Sequence, residues 1–308
     1  MAIMKKGQDL TDVTTAILTG MREILKKEKP DIVLVHGDTS TAFAASLAAF
    51  YQQIPVGHVE AGLRTYNMKS PYPEEFNRQA IGLTASLHFA PTQKAANALL
   101  KEGKDPERIF ITGNTGIDAL HYTVRSDFYH PETEWAKGSR LIAVTAHRRE
   151  NLGEPMRDMF RAIRRIVEEF TDVKVIYPVH LNPQVRKIAD EEFDGCERIH
   201  LIEPLDVVEF HNLMKASYLI MTDSGGIQEE APALGKPVLV MRDTTERPEG
   251  VEAGTLKLAG TKMEDIYREC RRLLTEPETY RKMSEARNPY GDGTASIKIR
   301  KILEDIDA

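Results

Sequence analysis

Tyr218-Leu219-Ile220-Met221-Thr222-Asp223-Ser224-Gly225-Gly226-Ile227-Gln228-Glu229-Glu230 runs from a short apolar stretch through two glycines into a helical pattern. An apolar run without alternation suits a parallel strand covered on both faces, and the helix that follows makes a strand–turn–helix unit. The first backbone N–H groups of a helix lack intrahelical partners and lie at the positive end of its dipole, so such a turn suits a diphosphate. We expect Ser224 as N-cap, Gly225 and Gly226 where the phosphates approach the backbone, and Glu230, one turn on, as a ligand of ribose-type hydroxyls. Glu229 and Glu230 would both repel an anion they faced, so at least one turns aside. A glycine-punctuated turn after a strand is also common without any ligand, so its context decides.

The same rhythm extends in both directions. Upstream come a helix around Leu10–Lys27, a strand Ile32–Val35, a helix Thr41–Tyr51, a strand Val56–Val59 and strands near Leu87–Ala90 and Ile109–Thr112. Between Ala119 and Arg140 the pattern turns polar and aromatic, which places a domain boundary there. It resumes with strand Leu141–Thr145, helix Pro155–Phe170, strand Val173–Pro178, helix Pro183–Phe193, strand Ile199–Ile202 and helix Val207–Lys215. Beyond Glu230 follow strands Val238–Met241 and Gly254–Leu258, helices near Met263–Leu274 and Thr279–Ala286, and a final amphipathic helix Ser296–Ile306. Alternating strands and helices specify an α/β fold with parallel sheets. The predicted organisation is a Rossmann-like domain over 1–125, a nucleotide-binding Rossmann-like domain over 139–287, and a C-terminal helix in 288–308 that packs back on the first.

Composition narrows the partners. The 308 residues carry a net charge of −6, and 41% are hydrophobic, enough for two cores. Basic residues are scattered, apart from Arg148-Arg149 and the Arg161–Arg165 segment, so no stripe tracks a polynucleotide. Cys196 and Cys270 lie far apart in no metal-type spacing. No segment approaches the ~20 apolar residues that cross a bilayer, and no signal-peptide core follows Lys5-Lys6. The expected setting is cytoplasmic, with neither nucleic acid nor membrane as partner.

In open parallel sheets ligands bind beyond the carboxyl ends of the strands. Reading each strand to its end yields His36-Gly37-Asp38-Thr39, then His58-Val59-Glu60-Ala61-Gly62-Leu63-Arg64, Thr145-Ala146-His147-Arg148-Arg149-Glu150, Val179-His180-Leu181-Asn182 and Asp223-Ser224-Gly225-Gly226. Turns are polar in any case, but His, Asp, Glu and Arg at five strand ends in both halves predict two α/β domains facing across a cleft lined with acids, bases and an anion site.

Together with Gly7-Gln8-Asp9-Leu10, Pro73-Glu74-Glu75 with Asn77-Arg78, Thr112-Gly113-Asn114-Thr115, the Arg242–Glu249 segment and Asn288–Gly293, these stretches closely resemble the non-hydrolysing UDP-N-acetylglucosamine 2-epimerases over essentially the whole chain. The resemblance implies two domains of glycosyltransferase-B type, a homodimer, and interconversion of UDP-N-acetylglucosamine and UDP-N-acetylmannosamine for cell-surface polysaccharide, with no cofactor and no metal. The family opens with a strand leading into Gly-Thr-Arg-Pro-Glu, which has no counterpart here, so the first domain is expected to be truncated at its N-terminus.

The family's route eliminates UDP across C1 and C2 and adds it back with a proton delivered to the opposite face, which requires acid/base groups on both faces of the sugar. By resemblance Asp38, Glu60 and Glu74 are the first-domain catalytic carboxylates, and His147 is a second-domain acid/base or diphosphate partner. Which carboxylate serves which face stays open. Arg148, Arg149 and Arg247 are candidate phosphate or sugar ligands, His180 a phosphate, sugar or effector ligand, and Phe210 an aromatic beside the uracil. Each has a plainer reading. Asp38 fits a cap or Asx turn, Glu60 a pair with Arg64, Glu74 a favourable helix start, the arginines surface ion pairs, His180 a loop pin and Phe210 a core side chain.

Rival functions are a binuclear metal hydrolase, which lacks close ligand spacing, a nucleotide-sugar glycosyltransferase, and an inactive or sensing UDP-sugar-binding fragment.

Overall fold

The computed structural model describes Ile3, Lys5 and residues 7–306, apart from the side chain of Arg149. It divides into two units, one holding the residues up to Thr115 with those from Tyr290 onward, the other Gly116–Pro289.

In the first unit β1 (Val33–His36), β2 (Val56–Val59), β3 (Leu87–Ala90) and β4 (Ile109–Ile111) form a parallel sheet in chain order. Every residue of β2 and β3 is buried. The strand β1 lies at the edge, and its Leu34 is 47% exposed. Helices Leu10–Glu28 and Ser40–Tyr51 cover one face, where Leu25, Ala45, Ala49, Val56 and Ile81 form a core. The first begins in a reciprocal cap, Asp12 N–H donating to Asp9 Oδ1 at 2.9 Å and Asp9 N–H to Asp12 Oδ2 at 3.1 Å. The C-terminal helix Ala295–Asp305 buries Ile299 against Val59, Leu87 and Phe89.

The second unit holds six parallel strands: β5 (Arg140–Thr145), β6 (Val173–Pro178), β7 (Ile199–Ile202), β8 (Leu219–Thr222), β9 (Val238–Val240) and β10 (Leu256–Leu258). Their order is β10-β9-β8-β5-β6-β7. Side chains alternate between faces, as a strand demands: Ile142, Val144, Leu219 and Met221 join Phe160, Ile163 and Tyr177 in one core, while Ala143, Ile220 and Val238 join Leu213 and Met214 in the other. Burying a side chain such as Phe160 contributes about 1.5–3 kcal/mol, so this double cover firmly positions the central strand ends. The chain moves outward from β5 through β6 and β7, then returns beside β5 with β8 and leaves the other way. The order therefore reverses between β5 and β8, where open α/β sheets bind ligands.

Both cysteines are free thiols. Among the described residues no helix is long and apolar enough to cross a membrane.

Candidate active site

At the reversal in the second unit, Thr145 and Thr222 join their hydroxyls across β5 and β8 at 2.6 Å, so the segments beyond them emerge side by side. Asp223, wholly buried, is the hub. Its Oδ2 accepts the backbone N–H groups of His147 and Arg148, each at 2.9 Å, and the side-chain amide of Asn151 at 3.3 Å. Its Oδ1 accepts no well-aligned hydrogen bond and lies 3.2 Å from Nδ1 of His147. Burial alone pushes the Asp223 carboxyl up, but His147 and the two backbone N–H groups outweigh it and hold it below the usual carboxylate range. A carboxylate facing Nδ1 selects the tautomer protonated there and leaves Nε2 to accept or relay a proton. The imidazole is 41% exposed, open to a ligand, and stacks on His180 with 5.6 Å between ring centroids.

The glycine turn is built differently from expectation. Its helix is Ile227–Ala233, its N-cap is Gly226, and no side chain caps it. Ser224 is thus not the N-cap; its N–H is committed to Thr222 Oγ1 at 2.9 Å and its carbonyl accepts from the Gln228 amide. A Cβ at Gly225 would sit 2.6 Å from Arg247 Nη1 and 2.9 Å from Glu246 Oε1, so it would displace the ends of two buried, paired side chains. Gly226 is exposed, and its nearest neighbour to such a Cβ is Glu230 Oε1 at 3.8 Å.

A buried charge network backs this turn. Glu246 meets Arg247 Nη1 at 2.7 Å, Arg242 Nη1 at 2.9 Å and Arg148 Nη2 at 3.5 Å. Burial would raise its carboxyl, yet the three guanidinium groups pull it down to about 2. Arg247 also donates to Glu229 Oε1 at 2.5 Å, so Glu229 is the acid that turns aside. Glu230 stays half-buried, 3.5 Å from His211 Nε2. Arg148 donates from Nε to the Asp223 carbonyl at 2.8 Å. The side chain of Arg149 lies outside the described part of the chain. His180 does pin its loop, Nδ1 accepting the Asn182 N–H at 3.1 Å, although its ring is exposed. Phe210 packs, partly buried, against the core that includes Leu213 and Ile220.

In the first unit Asp38 and Glu60 follow neighbouring parallel strands. Asp38 is not the cap of helix Ser40–Tyr51, because Thr39 Oγ1 takes that place by accepting the Ala42 N–H at 3.1 Å. The Asp38 carboxylate pairs instead with Arg78, through Nη2 and through Nε at 3.1 Å, and its carbonyl accepts the Asn77 amide at 2.8 Å. Arg78 is held in turn by Glu75 at 3.3 Å. That wholly buried acid also accepts the N–H groups of Thr65 and Tyr66 at 3.0 Å. Glu75 is thus a scaffold, whereas Glu74 beside it is only half-buried at the helix start.

Glu60 has φ +65°, a left-handed backbone that is costly for a side chain and concentrated at functional positions. Its Oε1 accepts from Asn114 at 3.3 Å, and its Oε2 would lie 2.8 Å from a Cβ at Gly37, whose own φ is +68°. The plainer reading of Glu60, a pair with Arg64, does not hold; that guanidinium goes to Glu102 at 2.7 and 2.9 Å and to the Leu63 carbonyl. Beneath the turn His58, fully buried, is driven down to about 3 chiefly by desolvation, and donates from Nε2 to the Gly37 carbonyl at 2.8 Å.

Residues 1–304 match the family model described as UDP-N-acetylglucosamine 2-epimerase. The UDP-N-acetylglucosamine 2-epimerase of Bacillus subtilis is 62% identical over 304 residues, 99% of this chain and 79% of that protein. A Neisseria meningitidis UDP-GlcNAc 2-epimerase solved with UDP-GlcNAc bound is 47% identical with a TM-score of 0.93, covering 98% of this chain and 84% of the other. A Staphylococcus aureus protein solved with UDP is 52% identical with a TM-score of 0.94, over the same shares.

The chain belongs to the non-hydrolysing UDP-N-acetylglucosamine 2-epimerase family.

Its two sheets are those of Rossmann-like domains, like those of its glycosyltransferase-B-type relatives. In this epimerase-family chain, motif reading placed Asp223 in the glycine turn without its role as hub, and left Arg78, Glu75 and Glu246 unassigned. Glu75 and Arg78, three apart on one helix, carried a local signal. Asp223 and Glu246 carried little, because their partners are set by strand order and by a loop beyond β9.

Proposed function

We propose that the chain inverts C2 of UDP-N-acetylglucosamine to give UDP-N-acetylmannosamine. The observation that carries this reading is the family match over residues 1–304, with a relative solved holding UDP-GlcNAc. The C2 proton has no ketone beside it to delocalise a carbanion, so direct removal is hard. Elimination avoids the free carbanion: a base takes the C2 proton, the C–H electron pair forms the C1–C2 double bond, and the C1–O bond breaks toward UDP. A diphosphate oxygen then re-attacks C1 while C2 is protonated from the opposite face.

For these steps we assign Asp38, Glu60 and Glu74 as the acid/base carboxylates, with Arg78 holding Asp38 and Gly37 making room for Glu60. His147, oriented by Asp223, serves the departing diphosphate or a proton in transit. We assign the Ser224-Gly225-Gly226 turn and Arg148 to the diphosphate, Glu230 to the ribose, and His180 and Phe210 to the periphery of the nucleotide. Arg247, occupied by Glu229 and Glu246, shapes the turn and its charge. We further infer a homodimer in the cytoplasm whose product feeds cell-surface polysaccharide, with light scattering as the check on the dimer.

The test is incubation with UDP-N-acetylglucosamine in deuterated water. Deuterium at C2 together with UDP-N-acetylmannosamine is the expected outcome. A folded chain that binds UDP in calorimetry yet yields neither refutes the reading.

A further inference from the structure

The last strands of the second unit carry a concavity that the chemistry above does not use. It lies at β10, the sheet edge, with β9 separating it from β8, and encloses about 580 Å³. Small-molecule sites typically fall within ~300–1,000 Å³. Its floor is apolar: Leu239 of β9, Leu256 of β10, Leu273 of helix Met263–Thr275 and Met283 of helix Pro277–Ser284. These four are at most 9% exposed, so the hydrocarbon open to a ligand comes mainly from the lining residues Val251, half-buried, and Ala253, exposed, with the edge of Met283.

Its rim has the opposite character. Lys257, Arg272 and Lys282 surround it, with one carboxylate, Glu269, among the lining residues. Glu269 is already shared, 3.2 Å from Arg272 Nη1, 3.5 Å from Arg268 Nε and 4.0 Å from Lys257 Nζ. Lys282 is exposed and makes no ion pair among the described residues. At Gly254 (φ +78°) nothing lies within 4 Å of where a Cβ would stand, so the lip there is open. Arg272 is engaged further by Glu276, whose Oε2 lies 3.6 Å from its Nε, so the positive charge left for a ligand at the rim is chiefly that of Lys282.

We propose that this hollow is a binding site for a small anionic amphiphile, a molecule with a compact aromatic or aliphatic body and a single carboxylate, sulfonate or phosphate head. The body lies against Val251, Ala253 and the edge of Met283, and the head meets Lys282, with Lys257 beside it. An inorganic anion would leave the apolar wall uncovered, and a neutral hydrocarbon would leave the rim unmet, so neither uses both features.

The probe is 8-anilinonaphthalene-1-sulfonate, set against N-phenyl-1-naphthylamine, which keeps the rings and lacks the sulfonate. Fluorescence titration of the full chain should show a saturable sulfonate-dependent component, and a crystal soak should place the probe over Val251 and Met283. Lys257→Glu combined with Lys282→Glu should weaken the sulfonate about tenfold or more through charge reversal at the mouth, while the neutral probe stays within about twofold. If the double reversal does not fold, Lys257→Gln with Lys282→Gln gives the same comparison with a smaller loss. Equal affinity of variant and wild type for the sulfonate, or probe density only elsewhere, overturns the proposal.

Discussion

Asp223→Asn tests the second-unit site most sharply, because the replacement has nearly the same shape. The amide oxygen can take the place of Oδ2, which accepts the N–H groups of His147 and Arg148 and the Asn151 amide at 2.9, 2.9 and 3.3 Å. The amide nitrogen then falls where Oδ1 lies, 3.2 Å from His147 Nδ1. It donates a proton there, and the imidazole must place its own hydrogen on Nε2. The charge that would stabilise an imidazolium is gone as well, so His147 is impaired whether it moves a proton or holds the diphosphate. Turnover should fall about 10²- to 10⁴-fold, as when an asparagine forces a catalytic histidine into the wrong tautomer. Stability should change by about 1–3 kcal/mol, because charge-assisted bonds weaken while the cost of burying a charge disappears. The assay is C2 deuterium exchange in deuterated water, paired with ¹⁵N shifts of the His147 ring. A folded variant with wild-type exchange, or a ring whose proton stays on Nδ1, would refute the reasoning.

Three further outcomes follow from the geometry. Gly37→Ala puts a Cβ 2.8 Å from Glu60 Oε2 at φ +68°; it should cost about 1–3 kcal/mol in urea unfolding and lower kcat by displacing Glu60. Gly225→Ala, whose Cβ would lie 2.6 Å from Arg247 Nη1, should weaken UDP about tenfold in calorimetry, since either the turn or the buried charge network behind it must shift. His58 has a folded value near 3 against 6.5 unfolded, so below pH 6.5 the unfolded chain binds a proton that the folded chain refuses. Stability should therefore fall from pH 6.5 toward pH 3, and His58→Gln, which retains a donor for the Gly37 carbonyl, should flatten that slope in pH-dependent denaturation.

Much of the architecture was legible because its signals are local. Strands Val56–Val59, Val173–Pro178 and Ile199–Ile202 and helix Pro183–Phe193 begin and end where apolar runs and a helix-starting proline place them. Propensity ranks serine above glycine as a helix cap, whereas the Ser224 N–H is taken by Thr222 and the cap falls two residues on, at Gly226. Arg64 looked like a partner for Glu60 because four residues separate them, but Glu102, distant in sequence, presents its carboxylate to it. Asp38 likewise finds Arg78 forty residues on, a pairing that spacing along the chain does not express.

By itself the amino-acid order determined that the chain forms parallel strands with ionisable groups at their carboxyl ends, because run length, alternation and turn chemistry act over a few residues. Parallel pairing brings those ends to the same edge of each sheet whatever the strand order. Which ends become neighbours is decided by packing between segments many residues apart. Only the tertiary structure placed β8 against β5, and that adjacency sets the buried Asp223 against His147 and turns two ordinary strand ends into a single site.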